Sequence, residues 1–318
     1  MLSKAKIKLI HSLELKKFRN ELEAFVAEGN KLVADILPLF SCELLIAQPE
    51  WLAAQGPVKA KEVIEVTEEE MRKASLQKSP QQVLGVFKRP QVSLDQAAPN
   101  QSLVLALDGV QDPGNLGTII RLADWFGIQH IVCSRDTADL FAPKTVQATM
   151  GALARVCVHY TDLAAYLADQ QAKGVPIYGT FLNGEDLYTK PLCPNGILIM
   201  GNEGNGIRPA CAQWVNERLY IPNYPAGRAT SESLNVAIAT AIVCAEFRRR
   251  GRYALPLIER NRISRTQARC PFTPMSDQCS CILGLNRLWK GNQDSIIESG
   301  SGQLCLQGVA TYPTSSSV

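Results

Sequence analysis

Polar side chains that could orient a ligand occur in three short segments of the chain, each of which follows an apolar run. The residues concerned are Asn115 and Arg121 in the first segment, Glu203 in the second, and Ser233 and Asn235 in the third. An amide offers both a donor and an acceptor, and an arginine offers a cationic fork of donors. Such groups can orient a hydroxyl or a backbone group of a bound molecule.

The first segment, Asp112-Pro113-Gly114-Asn115-Leu116-Gly117, follows the apolar run 103–107 and precedes a helix predicted over residues 116–126. Asn115 is a candidate N-cap of this helix. Arg121 falls away from the apolar side of the helix and so faces the carboxyl edge of a parallel sheet, where such folds bind ligands. Taken alone, the segment is better explained by a cap and a surface arginine.

The second segment is a glycine-rich loop, residues 201–206, with the sequence Gly-Asn-Glu-Gly-Asn-Gly. It lacks the Lys-Ser/Thr pair of a phosphate-binding Walker loop, and its glycine spacing does not match GxGxxG. Glu203 suits a cationic ligand, or a contact with an arginine, better than a phosphate. A tight turn with an exposed glutamate explains this loop equally well when it is taken alone, and helix capping likewise explains Ser233 and Asn235.

Six apolar runs of strand length alternate with helical patterns between residues 102 and 253. This alternation predicts an α/β fold with a mainly parallel sheet and helices on both faces. The runs are residues 103–107, 130–133, 155–158, 175–181, 197–200 and 218–221. The helical stretches are residues 116–126, 145–153, 163–171, 208–215 and 234–250.

A smaller α/β unit is predicted over residues 1–90, ahead of a proline-containing linker over residues 91–101. In this first unit, Phe18, Leu22, Phe25 and Val26 stand at helical spacing and predict a helix over residues 16–33. Strands are predicted over residues 43–47, 63–66 and 82–87, with a helix start at Thr67. The second unit is residues 102–253. Residues 254–318, which are interrupted by prolines and end in serines, are predicted to form a poorly ordered tail.

Composition is that of an ordinary globular protein, with 46% apolar and 20% charged residues. No apolar run reaches the roughly 18 residues that a membrane span needs, and the N-terminus has no signal-peptide block, so we expect a cytoplasmic protein without a membrane partner. The ten cysteines are scattered without CxxC spacing. We therefore expect no metal site, and we expect Cys133, Cys157 and Cys244 to be buried free thiols.

The net charge of +3 is too small to demand a nucleic-acid partner, but the basic residues are clustered. One cluster lies in residues 1–20 and comprises Lys4, Lys6, Lys8, Lys16, Lys17 and Arg19; a second comprises Arg248, Arg249, Arg250 and Arg252. Such clusters can neutralise phosphates. From charge alone, they are better explained by solvated helix faces and by favourable charge at a helix C-terminus.

In their order and spacing, the three segments resemble the three signature motifs of the SpoU (TrmH-like) RNA methyltransferases of the SPOUT superfamily. The resemblance covers about residues 102–250. It implies an α/β domain with a C-terminal trefoil knot, S-adenosylmethionine as methyl donor, a homodimer, and transfer to a ribose 2′-hydroxyl of RNA. Residues 1–90 resemble the ribosomal-protein-like RNA-binding domain often found ahead of this core, which favours ribosomal RNA over transfer RNA.

The resemblance also implies roles for single residues. The catalytic side of the site would comprise Asn115, Arg121, Glu203, Ser233 and Asn235, and the cofactor would lie against the backbone of Thr180, Gly201, Ile221 and Leu234. Ser231 is the alternative to Ser233, because the loop 223–232 is longer and more polar than in many members of the family. A normal arginine stays protonated. Arg121 is therefore expected to hold the RNA phosphate and steer the hydroxyl, and the proton acceptor stays open.

Two other functions fit parts of the sequence. A catalytically inactive RNA-binding module on the same fold would keep the basic clusters, although the intact Asn115, Arg121, Glu203 and Asn235 argue against it. A nicotinamide-dependent dehydrogenase would use a similar sheet, but the GxGxxG pattern is missing after residues 103–107. The sequence identifies neither the target nucleotide nor the class of RNA.

Overall fold

Two β-sheets organise the chain, one of four strands and one of six. The computed structural model describes residues 2–225, 231 and 233–254, with the side chains of residues 252–254 left out. The predicted tail over residues 254–318 lies outside the described residues, apart from the backbone of Ala254. No helix in the described part of the chain has the length and apolar character that a membrane span requires.

The four-stranded sheet belongs to the first unit. Its strands are β1 (Ala24–Glu28), β2 (Cys42–Ala47), β3 (Val63–Glu65) and β4 (Val83–Lys88), in the order β1-β4-β2-β3. The helices of this unit are α1 (Lys4–Ser12), α2 (Lys16–Leu22), α3 (Asn30–Ile36), α4 (Pro49–Gln55) and α5 (Glu68–Ala74). The three predicted strands are confirmed. The predicted helix start at Thr67 is confirmed too, because Thr67 and Glu70 form a capping box.

The helix predicted over residues 16–33 is confirmed only for residues 16–22 and 30–33, because residues 24–28 form β1 instead. Helix α2 ends at Leu22, Glu23 adopts a left-handed backbone conformation (φ 47°), and the chain continues as β1. Phe25 pairs with Phe87 of β4 in the antiparallel register, and both side chains are fully buried. Pairing with a strand some 60 positions away thus overrides the helical spacing of the apolar residues.

The six-stranded sheet belongs to the second unit. Its strands are β5 (Leu103–Asp108), β6 (His130–Ser134), β7 (Cys157–Thr161), β8 (Ile177–Asp186), β9 (Gly196–Gly201) and β10 (Glu217–Tyr220), in the order β10-β8-β9-β5-β6-β7. The helices are α6 (Pro113–Trp125), α7 (Pro143–Thr149), α8 (Leu163–Ala172), α9 (Pro209–Ala212) and α10 (Val236–Ala254). Every pair of neighbouring strands is parallel. The prediction of a parallel α/β sheet is confirmed.

The two units share one hydrophobic core. The rings of Phe25 in β1 and Phe141 ahead of α7 lie 4.8 Å apart. Arg19, counted in the sequence as part of a basic cluster, is buried and donates from Nε and Nη2 to Oδ2 of Asp139 at 3.1 and 2.7 Å. An ion pair between the units therefore lies beside their apolar contact.

The structure confirms that Cys133, Cys157 and Cys244 are buried cysteines outside any disulfide. Burial raises the pKa of Cys133, and it raises the pKa of Cys244 to about 12. Thiols with raised pKa values hold little thiolate at neutral pH, so these groups pack as small apolar side chains.

Candidate active site

Helix α6 begins with an Asp-Pro pair. Asp112 is the N-cap, its Oδ1 accepts from the backbone N–H of Asn115 at 2.8 Å, and Pro113 occupies the first helical turn. The prediction that Asn115 caps this helix is therefore wrong, because the cap lies three residues earlier. The same hydrogen bond, with Lys144 as a lesser cause, holds the pKa of Asp112 below its ordinary value. With the cap supplied by Asp112, the side chain of Asn115 is available for other contacts.

Asn115 connects the three segments that the sequence analysis singled out. Its Nδ2 donates to Oε1 of Glu203 at 2.9 Å, and its Oδ1 accepts from Nδ2 of Asn235 at 3.0 Å. These partners lie 88 and 120 positions further along the chain. Both polar atoms of the Asn115 side chain are thus used, which fixes the orientation of its amide plane. We call Asn115, Glu203 and Asn235 the polar triad.

Asn235 also caps the last helix. Its Oδ1 accepts from the backbone N–H groups of Ala237 and Ile238 at 3.0 and 3.3 Å, at the start of α10. Ser233, proposed from the sequence as a cap, is exposed and makes no hydrogen bond with another described residue. The capping prediction for Ser233 is wrong, and Asn235 fills that role while its Nδ2 reaches Asn115.

The glycine-rich loop is a tight turn that presents Glu203 near its tip. Asn202 and Gly206 exchange backbone hydrogen bonds of 2.9 and 3.0 Å. Oδ1 of Asn202 accepts from the backbone N–H groups of Gly204 and Asn205 at 2.9 and 3.1 Å. A Cβ on Gly201 would collide with the backbone of Gly206, so only glycine fits there. The tight turn with an exposed glutamate is confirmed, but the described partner of Glu203 is the amide of Asn115, neither a cationic ligand nor an arginine.

Thr180, Gly201 and Ile221, three of the four residues predicted to bind the cofactor, lie at one edge of the large sheet. Thr180 lies in β8, just beyond its pairing with β9, Gly201 ends β9, and Ile221 directly follows β10. These three strands are neighbours in the sheet. The carboxyl edge of an open parallel sheet is where α/β folds bind ligands.

The fourth predicted cofactor residue, Leu234, is half exposed and immediately precedes Asn235. Ile221 is also only partly buried. Partly exposed apolar side chains beside strand-end backbone groups suit a ligand with a flat apolar base and polar substituents. The residues at this edge therefore fit S-adenosylmethionine by their chemistry.

Arg121 lies on α6 but outside the polar triad. It is exposed and makes no hydrogen bond or ion pair with another described residue. Six residues of helix separate Arg121 from Asn115, which corresponds to about 9 Å along the axis and about 120° around it. Arg121 instead shares a helix face with Trp125, four positions further on, whose side chain is 84% exposed. Within the described residues, no hydrogen bond or ion pair joins Arg121 to Glu203 or Asn235.

Most of the second basic cluster is used within the fold. Arg248 donates from Nε to the carbonyl oxygen of Phe126 at 2.6 Å. Arg249 and Arg250 both donate to the carboxylate of Glu246, with Nε–O distances of 2.6 and 2.7 Å. In the first cluster, by contrast, Lys4, Lys8, Lys16 and Lys17 are exposed, while Lys6 pairs with Glu62. Exposed cations thus concentrate on the first unit.

One ion pair close to the glycine-rich loop, between a buried carboxylate and an exposed arginine, was not predicted from the sequence. Asp108, the last residue of β5, is fully buried and accepts from Arg208, which follows the loop. No local sequence pattern indicates this pair, because its members are 100 positions apart. A charged residue at the end of an otherwise apolar strand run was the only available signal.

Comparisons with known proteins agree with this geometry. Residues 102–245 match the model of the SpoU rRNA Methylase family, and residues 4–85 match the MRM3-like substrate binding domain. The 23S rRNA (guanosine(2553)-2′-O)-methyltransferase RlmP of Bacillus subtilis is 35% identical over 246 residues, which cover 76% of this chain and 96% of that protein. RlmB of Neisseria meningitidis, a 23S rRNA (guanosine-2′-O-)-methyltransferase, is 34% identical over 46% of this chain and 58% of its own length.

Solved structures give the same result. A structure assigned to the TrmH family of RNA methyltransferases, from Porphyromonas gingivalis, is 44% identical with a TM-score of 0.69, and the match covers 79% of this chain and 99% of that chain. The AdoMet-bound rRNA methyltransferase of Sinorhizobium meliloti is 36% identical with a TM-score of 0.67, over 79% of this chain and 96% of that chain. With motifs, fold and relatives in agreement, this chain belongs to the SpoU family of RNA methyltransferases.

Proposed function

We propose that this protein transfers a methyl group from S-adenosylmethionine to a ribose 2′-hydroxyl of ribosomal RNA. The observation that carries the proposal is the polar triad, in which Asn115 joins one residue from each of the other two motifs. The relative RlmP is named for this reaction on 23S rRNA, and a relative that is 36% identical was solved with AdoMet bound. We also propose that the protein acts in the cytoplasm.

The residues of the site have to align two reactants and handle one proton. When bound, S-adenosylmethionine supplies a methyl group already activated by its sulfonium. Alignment of reacting groups can contribute about 7–11 kcal/mol at best. The triad can align the reactants because both partners of the Asn115 amide are themselves held in place. Asn235 accepts a hydrogen bond from the start of α10, and Glu203 lies in a loop held by the hydrogen bonds of Asn202. Thr180, Gly201, Ile221 and Leu234 would hold the cofactor.

Arg121 is assigned to the substrate. Its exposure and its lack of a partner among the described residues leave the guanidinium available for an RNA phosphate, which it can bind with two parallel hydrogen bonds. Held this way, the phosphate would bring the neighbouring ribose hydroxyl to the triad. Ser233, or its alternative Ser231, is exposed beside Asn235 and would line the same site.

The protein would act as a homodimer. Trp125 of α6 and Leu234 and Ile238 beside and on α10 are exposed to 84%, 49% and 54%, and α6 packs against α10. Exposed apolar side chains on neighbouring helices support an interaction surface along the α6/α10 pair. Arg121 lies on the same helix face as Trp125. A second copy bound to this surface would therefore bring its own Arg121 towards the polar triad of the first copy, and the first copy would do the same in return.

The first unit would bind RNA. Its exposed lysines, Lys4, Lys8, Lys16 and Lys17, suit contact with a phosphate backbone. The division into a substrate-binding domain (1–90), a linker (91–101) and a catalytic domain (102–253) stays a prediction. The trefoil knot of the catalytic domain, which the family resemblance implies, also stays a prediction.

Mapping of ribose methylation in cells with and without this protein tests the proposal. We expect one or a few 2′-O-methyl groups of ribosomal RNA to disappear in cells lacking the protein, and to return with the wild-type gene but not with an Asn115→Ala gene. Unchanged ribosomal RNA with altered transfer RNA would contradict the substrate class. Purified protein that gives no heat with S-adenosylmethionine in calorimetry would favour the inactive RNA-binding module.

A further inference from the structure

Asp108 is a fully buried carboxylate at the end of the central strand β5. It lies opposite Gly201 in the parallel register of β5 and β9, so it stands where the glycine-rich loop begins. Burial of an ionised carboxylate is unfavourable unless the group is paired and hydrogen-bonded. The groups that satisfy Asp108 therefore matter for the start of the loop.

Arg208 supplies these groups. Its backbone N–H donates to Oδ2 of Asp108 at 2.8 Å, its Nε donates to Oδ1 at 2.7 Å, and its Nη2 also donates to Oδ1. Nη1 and Nη2 reach on to the exposed carboxylate of Asp136 at 3.0 and 3.2 Å. Hydrogen bonding to Asp108 raises the pKa of Arg208, so the cation persists at all working pH values.

The loop is consequently attached at both ends to one residue of β5, through the strand register at one end and through the Asp108 carboxylate at the other. It leaves β9 at Gly201, opposite Asp108, and it returns at Arg208 to bind the same Asp108. Nδ2 of Asn202 adds a contact with the carbonyl oxygen of Gly109 at 2.7 Å, directly after β5. Glu203, at the tip of this closed loop, reaches Asn115.

We propose that Arg208 is a positioning residue for methyl transfer, which closes the glycine-rich loop onto Asp108 and thereby sets Glu203 against Asn115. The inference rests on the proposed function. The guanidinium is suited to this task because its planar fork donates to the carboxylate in a fixed direction, whereas a lysine would offer a point charge on a flexible stem. The precision of the loop therefore depends on the shape of the cation as well as on its charge.

Arg208→Lys tests the inference because it keeps the charge and removes the fork. We expect the variant to bind S-adenosylmethionine about tenfold more weakly, and to show a kcat lower by about tenfold or more. Its affinity for RNA should stay within about twofold of wild type, because no part of the RNA-binding unit is altered. Arg155→Lys is the matched control, since Arg155 forms a similar two-pronged pair with the carboxylate of Asp124 away from the loop.

A second variant separates the loss of the guanidinium fork from a loss of folding. In Asp108→Asn/Arg208→Gln both members are neutral, so no unpaired charge is buried, and the melting temperature can remain close to that of wild type. We expect this folded protein to show the same loss of cofactor affinity and kcat, because the fork is absent.

The outcomes separate the inference from the proposed function. Wild-type values of cofactor affinity and kcat in both variants overturn the inference and leave the enzyme assignment intact. A proportional fall of melting temperature, cofactor affinity and RNA affinity in Arg208→Lys overturns it as well, because it indicates a purely structural residue. A wild-type protein that binds no S-adenosylmethionine and methylates no RNA overturns the proposed function, and the inference with it.

Discussion

Asn115 and Glu203 are joined by a hydrogen bond of 2.9 Å although 88 positions separate them in the chain. Asn115 lies in the first turn of α6, the helix that follows strand β5. Glu203 lies in the loop that follows strand β9, and β9 is the neighbour of β5 in the sheet. The parallel register therefore brings the two motifs to the same edge of the sheet. Asn235 completes the arrangement from the start of α10.

Arg121→Lys should lower the methylation rate by about 100-fold or more. A lysine keeps the positive charge but cannot bind a phosphate with two parallel hydrogen bonds. Affinity for S-adenosylmethionine and melting temperature should not change, because Arg121 makes no hydrogen bond or ion pair with another described residue. Single-turnover assays on ribosomal RNA measure the rate. Arg135→Lys, at another exposed arginine, is the control, and a near-normal rate for Arg121→Lys would remove Arg121 from the mechanism.

Ile238→Glu should convert the protein to a monomer. The change places a charge on an exposed apolar position of α10, beside Leu234, on the surface proposed to meet a second copy, and burial of an unpaired charge is strongly unfavourable. Sedimentation at micromolar concentration should show a dimer for wild type and a monomer for the variant. Leu15→Glu, at an exposed leucine of the first unit, should leave the dimer intact. A wild-type protein that sediments as a monomer would contradict a site completed by a second copy.

The sequence predicted the sheets well because buried parallel strands appear as continuous apolar runs, which residues 103–107 and 197–200 illustrate. Capping was predicted less well. The Asp112-Pro113 pair is a recognisable helix start, with Pro in the first turn, and the cap at Asp112 could have been chosen over Asn115 on that ground. The pairing of Asp108 with Arg208 could not have been predicted from the sequence, since only the register of β5 and β9 and the path of the loop bring the two residues together.

Stability should fall with acid through a pair of buried histidines. Nδ1 of His130 and Nε2 of His159 lie 3.1 Å apart on neighbouring strands. Burial, and then the proximity of His130, lowers the pKa of His159 to about 4, and burial also lowers the pKa of His130. The unfolded chain, with ordinary values near 6.5, binds more protons between pH 6.5 and 4. The stabilisation is therefore complete above about pH 6.5 and is lost as the pH falls towards 4.

Urea titrations from pH 7.5 to 4.5 check this dependence. We expect His159 to account for a loss of about 3 kcal/mol in the free energy of unfolding across that range. His159→Gln should flatten the dependence on pH, whereas His11→Gln, at the exposed histidine of α1, should leave it unchanged. Equal slopes for wild type and His159→Gln would show that the pair is not the acid-sensitive element.

Asp139→Ala should lower the free energy of unfolding by about 3 kcal/mol, because it leaves the buried guanidinium of Arg19 without its counter-ion. The apolar double variant Arg19→Met/Asp139→Leu should recover most of this loss, since no charge then remains buried. Glu68→Ala, which breaks an exposed pair with Arg72, should change the free energy by less than about 1 kcal/mol. Urea denaturation measures all three, and a small effect of Asp139→Ala would mean that the pair contributes little to the contact between the units.

Methyl transfer by purified Asn115→Leu tests the triad most directly, because this change removes both hydrogen bonds of the amide and keeps a side chain of similar size. Wild-type protein with labelled S-adenosylmethionine and ribosomal RNA should yield a 2′-O-methylated nucleoside after digestion. Asn115→Leu should remain folded, bind RNA and lose the product by about 100-fold or more. A variant as active as wild type, or a wild-type product methylated on a base, would contradict the assignment.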